Sequence, residues 1–246
     1  MSMRIRIRAF LIHLTASAVL ALAAMALVFG IWYPSPLDKA VGVTEIFLII
    51  LGVDVVIGPL LTLVVYKEGK RSLRFDLATI VCLQLTAFAY GLWTVADGRP
   101  AWLVYSADRF DLVQAYQLDT RQLEQARPEY RTAPWLGAKW VYAARPDDPE
   151  QRKAILFEAL FSGLDLAQRP NLYRPLVEAA DAMRKHAQPL VELQRFNPQS
   201  EVATVLARWP EADAFLPMMS RAHPVTVLIN KESARVVAVV DLNPWE

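Results

Sequence analysis

Asp54 lies near the middle of EIFLIILGVDVVIGPLLTLVVY, residues 45–66, an apolar run long enough to cross a bilayer. A charged side chain at that depth costs about 3 kcal/mol on insertion scales, so such groups turn toward a protein interior, a water-filled cavity or a neighbouring helix. Gly52, Gly58 and Pro59 lie close by and Thr62 follows, and small residues beside a proline let another backbone approach closely. In the next apolar run Gln84 and Thr86 sit at comparable depth. Three uses of the carboxylate follow: a packing contact with Gln84 inside the chain, a hydrogen-bond or charge partner for a helix of another protein, or a proton or ion path. A single carboxylate in three helices makes a poor relay. The expected partner-binding residues are Asp54, Gly58, Pro59, Thr62 and Gln84.

Groups for covalent or metal chemistry are sparse. His13, His186 and His223 are not spaced as metal ligands on one element, and Cys82 falls inside an apolar run. No serine stands in a G-x-S-x-G context, and no phosphate-cradling glycine motif occurs. Asp108 and Asp111 in YSADRFDLV suit a turn between two strands, and Asp147 and Asp148 suit a helix cap. The expectation is a chain with no catalytic residues, no metal site and no cofactor, and hence not an enzyme.

The elements that position Asp54 are long and apolar. The chain has 246 residues, 54% of them hydrophobic, and most of that excess lies in helices expected at about residues 9–33, 43–66 and 75–96. At 1.5 Å per residue each spans a hydrocarbon core of roughly 30 Å. The first run is too long for a signal-peptide core of about 7 to 15 residues, so it is expected to remain as an anchor. Arg4, Arg6 and Arg8 precede it, and Lys67, Lys70, Arg71 and Arg74 fill the KEGKRSLR connection, whereas Lys39 is the sole basic residue of PSPLDKAVG. Basic residues favour the cytoplasmic side, which puts the N-terminus inside and everything after the third helix outside.

From about Ala101 the pattern shortens. AWLVYS (101–106), FDLVQAYQL (110–118) and KWVYAARP (139–146) have strand composition. Asp148 as N-cap, Pro149 in the first turn and Gly163 at the end bracket a helix. YRPLVEAADAMRKHAQPLVELQRF reads as a second helix that Pro189 kinks or splits, and EVATVLARW as a short third. PVTVLIN and RVVAVVDL, joined by KESA, read as a hairpin. The expected fold class is a three-helix transmembrane region, residues 1–98, followed by an α+β domain, residues 99–246. Residues 97–246 carry 18 basic and 20 acidic residues, a near-neutral surface that argues against nucleic acid as a partner.

The chain resembles a TfpX/TfpZ-type type IV pilin accessory protein. The resemblance rests on VDVVIGPLLTLVVYK with Asp54, Gly58, Pro59, Leu61 and Thr62, on the GKRSLRFDL loop leading to Asp76, and on Gln84, Tyr90 and Gly91. It continues through RPAWLVYSADRFDLV, GLDLAQRPNLYRPL and the terminal Pro244 and Trp245. The resemblance implies a multi-pass protein of the bacterial inner membrane with a periplasmic C-terminal domain, a non-catalytic, chaperone-like factor that binds the major type IV pilin and assists or modulates pilus assembly. Other pilus assembly machinery and the lipid bilayer are further expected partners. It also implies that the pilin helix waiting in the membrane carries a buried Glu; that a polar group such as Asp54 recognises it is an expectation from the depth of Asp54, which the resemblance does not assign. The alternative is a membrane-tethered periplasmic ligand-binding protein of sensor type, against which the short cytoplasmic connections argue.

Overall fold

The computed structural model describes residues 3–245, which divide into two compact units. The first holds the chain up to Ile31 together with Val43–Asp97; the second holds Trp32–Gly42 together with everything from Gly98.

In the first unit, α1 (Met3–Leu27) continues through a π-helical turn at Val28–Trp32 toward α2 (Leu37–Val41) in the other unit, and α3 (Val43–Val65) and α4 (Leu73–Asp97) complete it. All three long helices are apolar and long enough to cross a membrane. Polar and small residues choose the inward faces. On α3 the buried line is Val43, Phe47, Leu51, Asp54, Gly58 and Thr62, recurring every three or four residues, while Ile46, Ile49, Val53, Val56, Ile57, Leu60 and Val64 face outward. Without a hydrophobic drive between helices in lipid, close approach at small residues and hydrogen bonds hold such a line together. On α4 the corresponding line runs through Phe88, Gly91 and Val95, and a side chain at Gly91 would press into Ile50. Both α1 and α4 pack along α3, the central element.

The second unit is a mixed sheet of eight strands with helices on its faces. Its strands are β1 (Pro100–Ser106), β2 (Arg109–Gln114), β3 (Lys139–Ala143), β4 (Tyr173–Pro175), β5 (Gln188–Pro189), β6 (Ala214–Met219), β7 (Val225–Asn230) and β8 (Arg235–Val240). The order is β4-β3-β1-β2-β6-β7-β8, with β5 paired to β6. Pairs β1–β3 and β2–β6 are parallel and the others antiparallel. Alternation along the strands splits the core between two faces. Leu103, Tyr105, Leu216, Met218, Val227 and Ile229 lie on one, with Met183 of a short helix against them; Trp102, Val104, Val141 and Tyr173 lie on the other.

The helix after Asp148, α5 (Pro149–Ser162), starts and stops where expected. The Asp148 carboxylate accepts from the N–H groups of Glu150 and Gln151 at 3.1 and 3.3 Å, and Gly163 ends the helix at φ 71°. The β7–β8 hairpin closes with Asn230 opposite Arg235. FDLVQAYQL is shorter as a strand than expected, because Ala115–Gln117 turns into a 3-10 helix whose ends Gln114 and Gln117 cap each other.

Two segments differ more. The expected helix 173–196 is broken into pieces, since Tyr173–Pro175 pairs with β3 and Gln188–Pro189 with β6, leaving a 3-10 turn at Leu176–Ala179 that runs into α6 (Ala180–His186) and a second 3-10 stretch at Leu190–Arg195. Pro175 and Pro189 have no N–H for a helix but fit short strands of this kind. The PSPLDKAVG connection is folded into the second unit. Leu37 and Ala40 of α2 enter the core beside Leu103 and Tyr105, the Ala222 N–H donates to the Ala40 carbonyl at 2.9 Å, and Lys39 pairs with Asp241 at 2.7 Å. The short α7 (Gln199–Leu206) contributes Val202 to the core around Phe215 and Leu228.

Candidate functional site

The polar residues of the membrane unit converge. Gln84 reaches from α4 across Gly58 of α3 to α1, and a Cβ at position 58 would overlap the Gln84 amide. Glycine is therefore required there by close approach. The Gln84 Nε2 donates to the backbone carbonyl of Asp54 at 2.8 Å and to the Ser17 hydroxyl at 3.1 Å. A carbonyl only accepts, so the amide orientation is fixed and its Oε1 faces His13 as an acceptor. The His13 Nε2, 2.9 Å away, must then carry a proton, and the His13 Nδ1 accepts from the Thr62 hydroxyl at 2.6 Å. Hydrogen bonds thus link four side chains from three helices.

Asp54 is only 8% exposed, yet its Oδ2 has no hydrogen-bond partner among the described residues. The Gln84 amide meets the Asp54 backbone and not its carboxylate. A cleft of about 170 Å³ opens beside it, lined by His13, Ser17 and Ala21 of α1, by Asp54, and by Gln84 and Phe88 of α4. Of the residues expected at the site, Asp54, Thr62 and Gln84 take part in this arrangement directly and Gly58 makes room for it. Pro59 is buried on the same helix but makes none of these contacts. His13 and Ser17 are participants that the sequence reading passed over; their spacing of four on an otherwise apolar helix is the signal that marks them. Farther along, the Arg6 guanidinium donates to the Leu63 carbonyl at 2.8 Å, closing the end of α3 where carbonyls lack helical partners.

The second unit keeps its buried charge differently. Asp119 is bound by Arg121 through two bonds of 2.8 and 2.9 Å, Arg121 also holds Glu158, and Arg169, itself buried, bonds Glu158 and lies 3.7 Å from Asp119. The Arg121 guanidinium is the first cause holding both the Asp119 and the Glu158 carboxyls below the ordinary carboxylate range. A separate cleft of about 380 Å³ is lined by Asp108, Arg109, His186, Gln188, Pro217 and Trp245. Under it the Tyr105 hydroxyl, pushed up to about 12 chiefly by burial, hydrogen-bonds the His186 Nδ1 at 3.0 Å. Asp111 is tied to Ser106 and Arg109 at the β1–β2 turn, a local role.

Three apolar spanning helices around a polar cluster, joined to an α+β unit, define a membrane protein with an attached globular domain. The family model of the fimbrial assembly protein FimB matches residues 1–42. Similarity to curated proteins extends much farther. The fimbrial assembly protein of serogroup E1 from Dichelobacter nodosus is 32% identical over 243 residues, covering 96% of this chain and 94% of that protein. The serogroup I protein of the same organism is 31% identical over 245 residues, covering 96% and 93%. The chain belongs to the fimbrial assembly protein family. No solved structure matches it.

Proposed function

We propose that this chain is a TfpX/TfpZ-type accessory factor of the bacterial inner membrane that binds the major type IV pilin and assists pilus assembly without catalysing a reaction. Kinship with fimbrial assembly proteins over 96% of the chain supports the role in assembly. The observation that carries the binding mode is the cleft between α1 and α4, with buried Asp54 on its floor. An apolar helix waiting in the membrane and lending one side chain to the cleft is the kind of partner that suits it, because in lipid helices associate through close packing and a few polar contacts. The basic residues at the N-terminus and in the α3–α4 connection favour a cytoplasmic N-terminus and a periplasmic second unit. Folding of Trp32–Gly42 together with the chain after Gly98 fits that topology, since three crossings leave both on one side.

Co-purification tests the proposal. Full-length protein extracted in mild detergent from piliated cells should retain the major pilin. Its recovery without pilin, while extraction controls show pilin intact, would contradict it. A ligand-binding role of sensor type is favoured by one observation, the polar cleft at Arg109, His186 and Trp245.

A further inference from the structure

The membrane unit contains enough polar groups to satisfy a buried carboxylate, and it uses them on one another. Gln84 spends both amide hydrogens on Ser17 and the Asp54 backbone, His13 spends its proton on Gln84, and Thr62 spends its own on His13. Glycine at 58 and the Gln84 amide above it hold this arrangement in place. Asp54 lines a cleft, and its Oδ2, sealed just beneath that surface, is left unpartnered. A buried acceptor without a donor costs free energy, so the unit in isolation carries an unmet need at one known depth. The size of the cleft says what meets it. At about 170 Å³ it falls below the roughly 300 to 1,000 Å³ of small-molecule sites, and it is of the scale of one side chain.

We propose that the Asp54 carboxylate accepts a hydrogen bond from a donor-bearing side chain on a transmembrane helix of the partner, inserted between α1 and α4. This rests on the docking proposed above and names its chemistry: an otherwise apolar helix with one hydroxyl, amide, protonated acid or basic group at the depth of Asp54. Hydrogen-bond complementarity selects such a donor, because no donor of the described residues serves the buried Oδ2.

The test is photocrosslinking to pilin in cells from a probe at Val81, which lines the cleft, in full-length protein carrying Asp54, Asp54→Asn or Asp54→Leu, together with thermal unfolding of each purified variant. Loss of the hydrogen bond, with the partner's donor left unmet, should lower the adduct yield of Asp54→Leu on the order of tenfold or more. Asp54→Asn keeps an acceptor oxygen and should fall between. Neither variant should unfold earlier than the parent, since each removes the unmet buried carboxyl group. An undiminished adduct in Asp54→Leu would overturn the donor inference while leaving docking intact. Loss of stability in both variants would overturn it too, by making Asp54 an internal contact. No pilin adduct with Asp54 present would remove the docking itself.

Discussion

Asp54 and Asp119 are both buried carboxylates, one in each unit, and their surroundings are opposite. Asp119 receives Arg121 on both oxygens with Arg169 behind it, whereas Asp54 has no donor at Oδ2 although His13, Ser17, Thr62 and Gln84 are all at hand. Although the Arg169 Nε also lacks a partner, every charge of that cluster has an opposite charge beside it, and such a matched set belongs to the fold. A buried carboxylate left unmatched beside a cleft belongs to whatever fills the cleft. The same residue type therefore serves the fold in one unit and, in the proposed docking, a partner in the other.

The comparison breaks most sharply at Arg169. Replacing it with Met should cost the second unit about 1.5 to 3 kcal/mol, the loss of the charged hydrogen bonds made by this buried guanidinium while Arg121 still holds both carboxylates; chemical unfolding followed by the tryptophans of that unit measures it. In the membrane unit the largest effect is expected at Gly58→Ala. The added methyl displaces the Gln84 amide and with it the bonds to His13 and Ser17, costing about 1 to 3 kcal/mol, read as earlier thermal unfolding in detergent.

Acid sharpens the contrast. Asp119 and Glu158 titrate below the ordinary range when folded, so the stability they add is complete above the unfolded-state value of about 4 and is lost as pH falls through the folded values. The unfolding midpoint of the second unit should drop below pH 4, and Asp119→Asn should flatten that dependence. The smallest change is expected at Asp54→Asn, which should leave stability level or raise it by up to about 1 kcal/mol, the reverse of Asp119→Asn at neutral pH.

Much of this was legible in the residues. Apolar length alone marks α1, α3 and α4, the Asp148 cap and Gly163 bracket α5, and the two β-branched runs give the β7–β8 hairpin. Asp54, Gly58, Thr62 and Gln84 stood out because polar and small residues are conspicuous in apolar helices. His13 and Ser17 did not, since their use depends on Gln84 crossing Gly58, a contact between residues 67 and 71 positions apart. The helical spacing in 173–196 misled because strand partners for Tyr173–Pro175 and Gln188–Pro189 come from distant β3 and β6. Nor does the short PSPLDKAVG stretch announce that Leu37 and Ala40 complete a core formed mainly after residue 100.

The most direct test of the cleft as a docking surface compares two probes on one helix in piliated cells. Val81 lines the cleft, while Leu83, two residues on, is 67% exposed and does not line it. Pilin should crosslink from Val81 several times more strongly than from Leu83, through its membrane-embedded helix. Equal yields from the two positions, or a stronger yield from Leu83, would contradict a partner helix seated over Asp54.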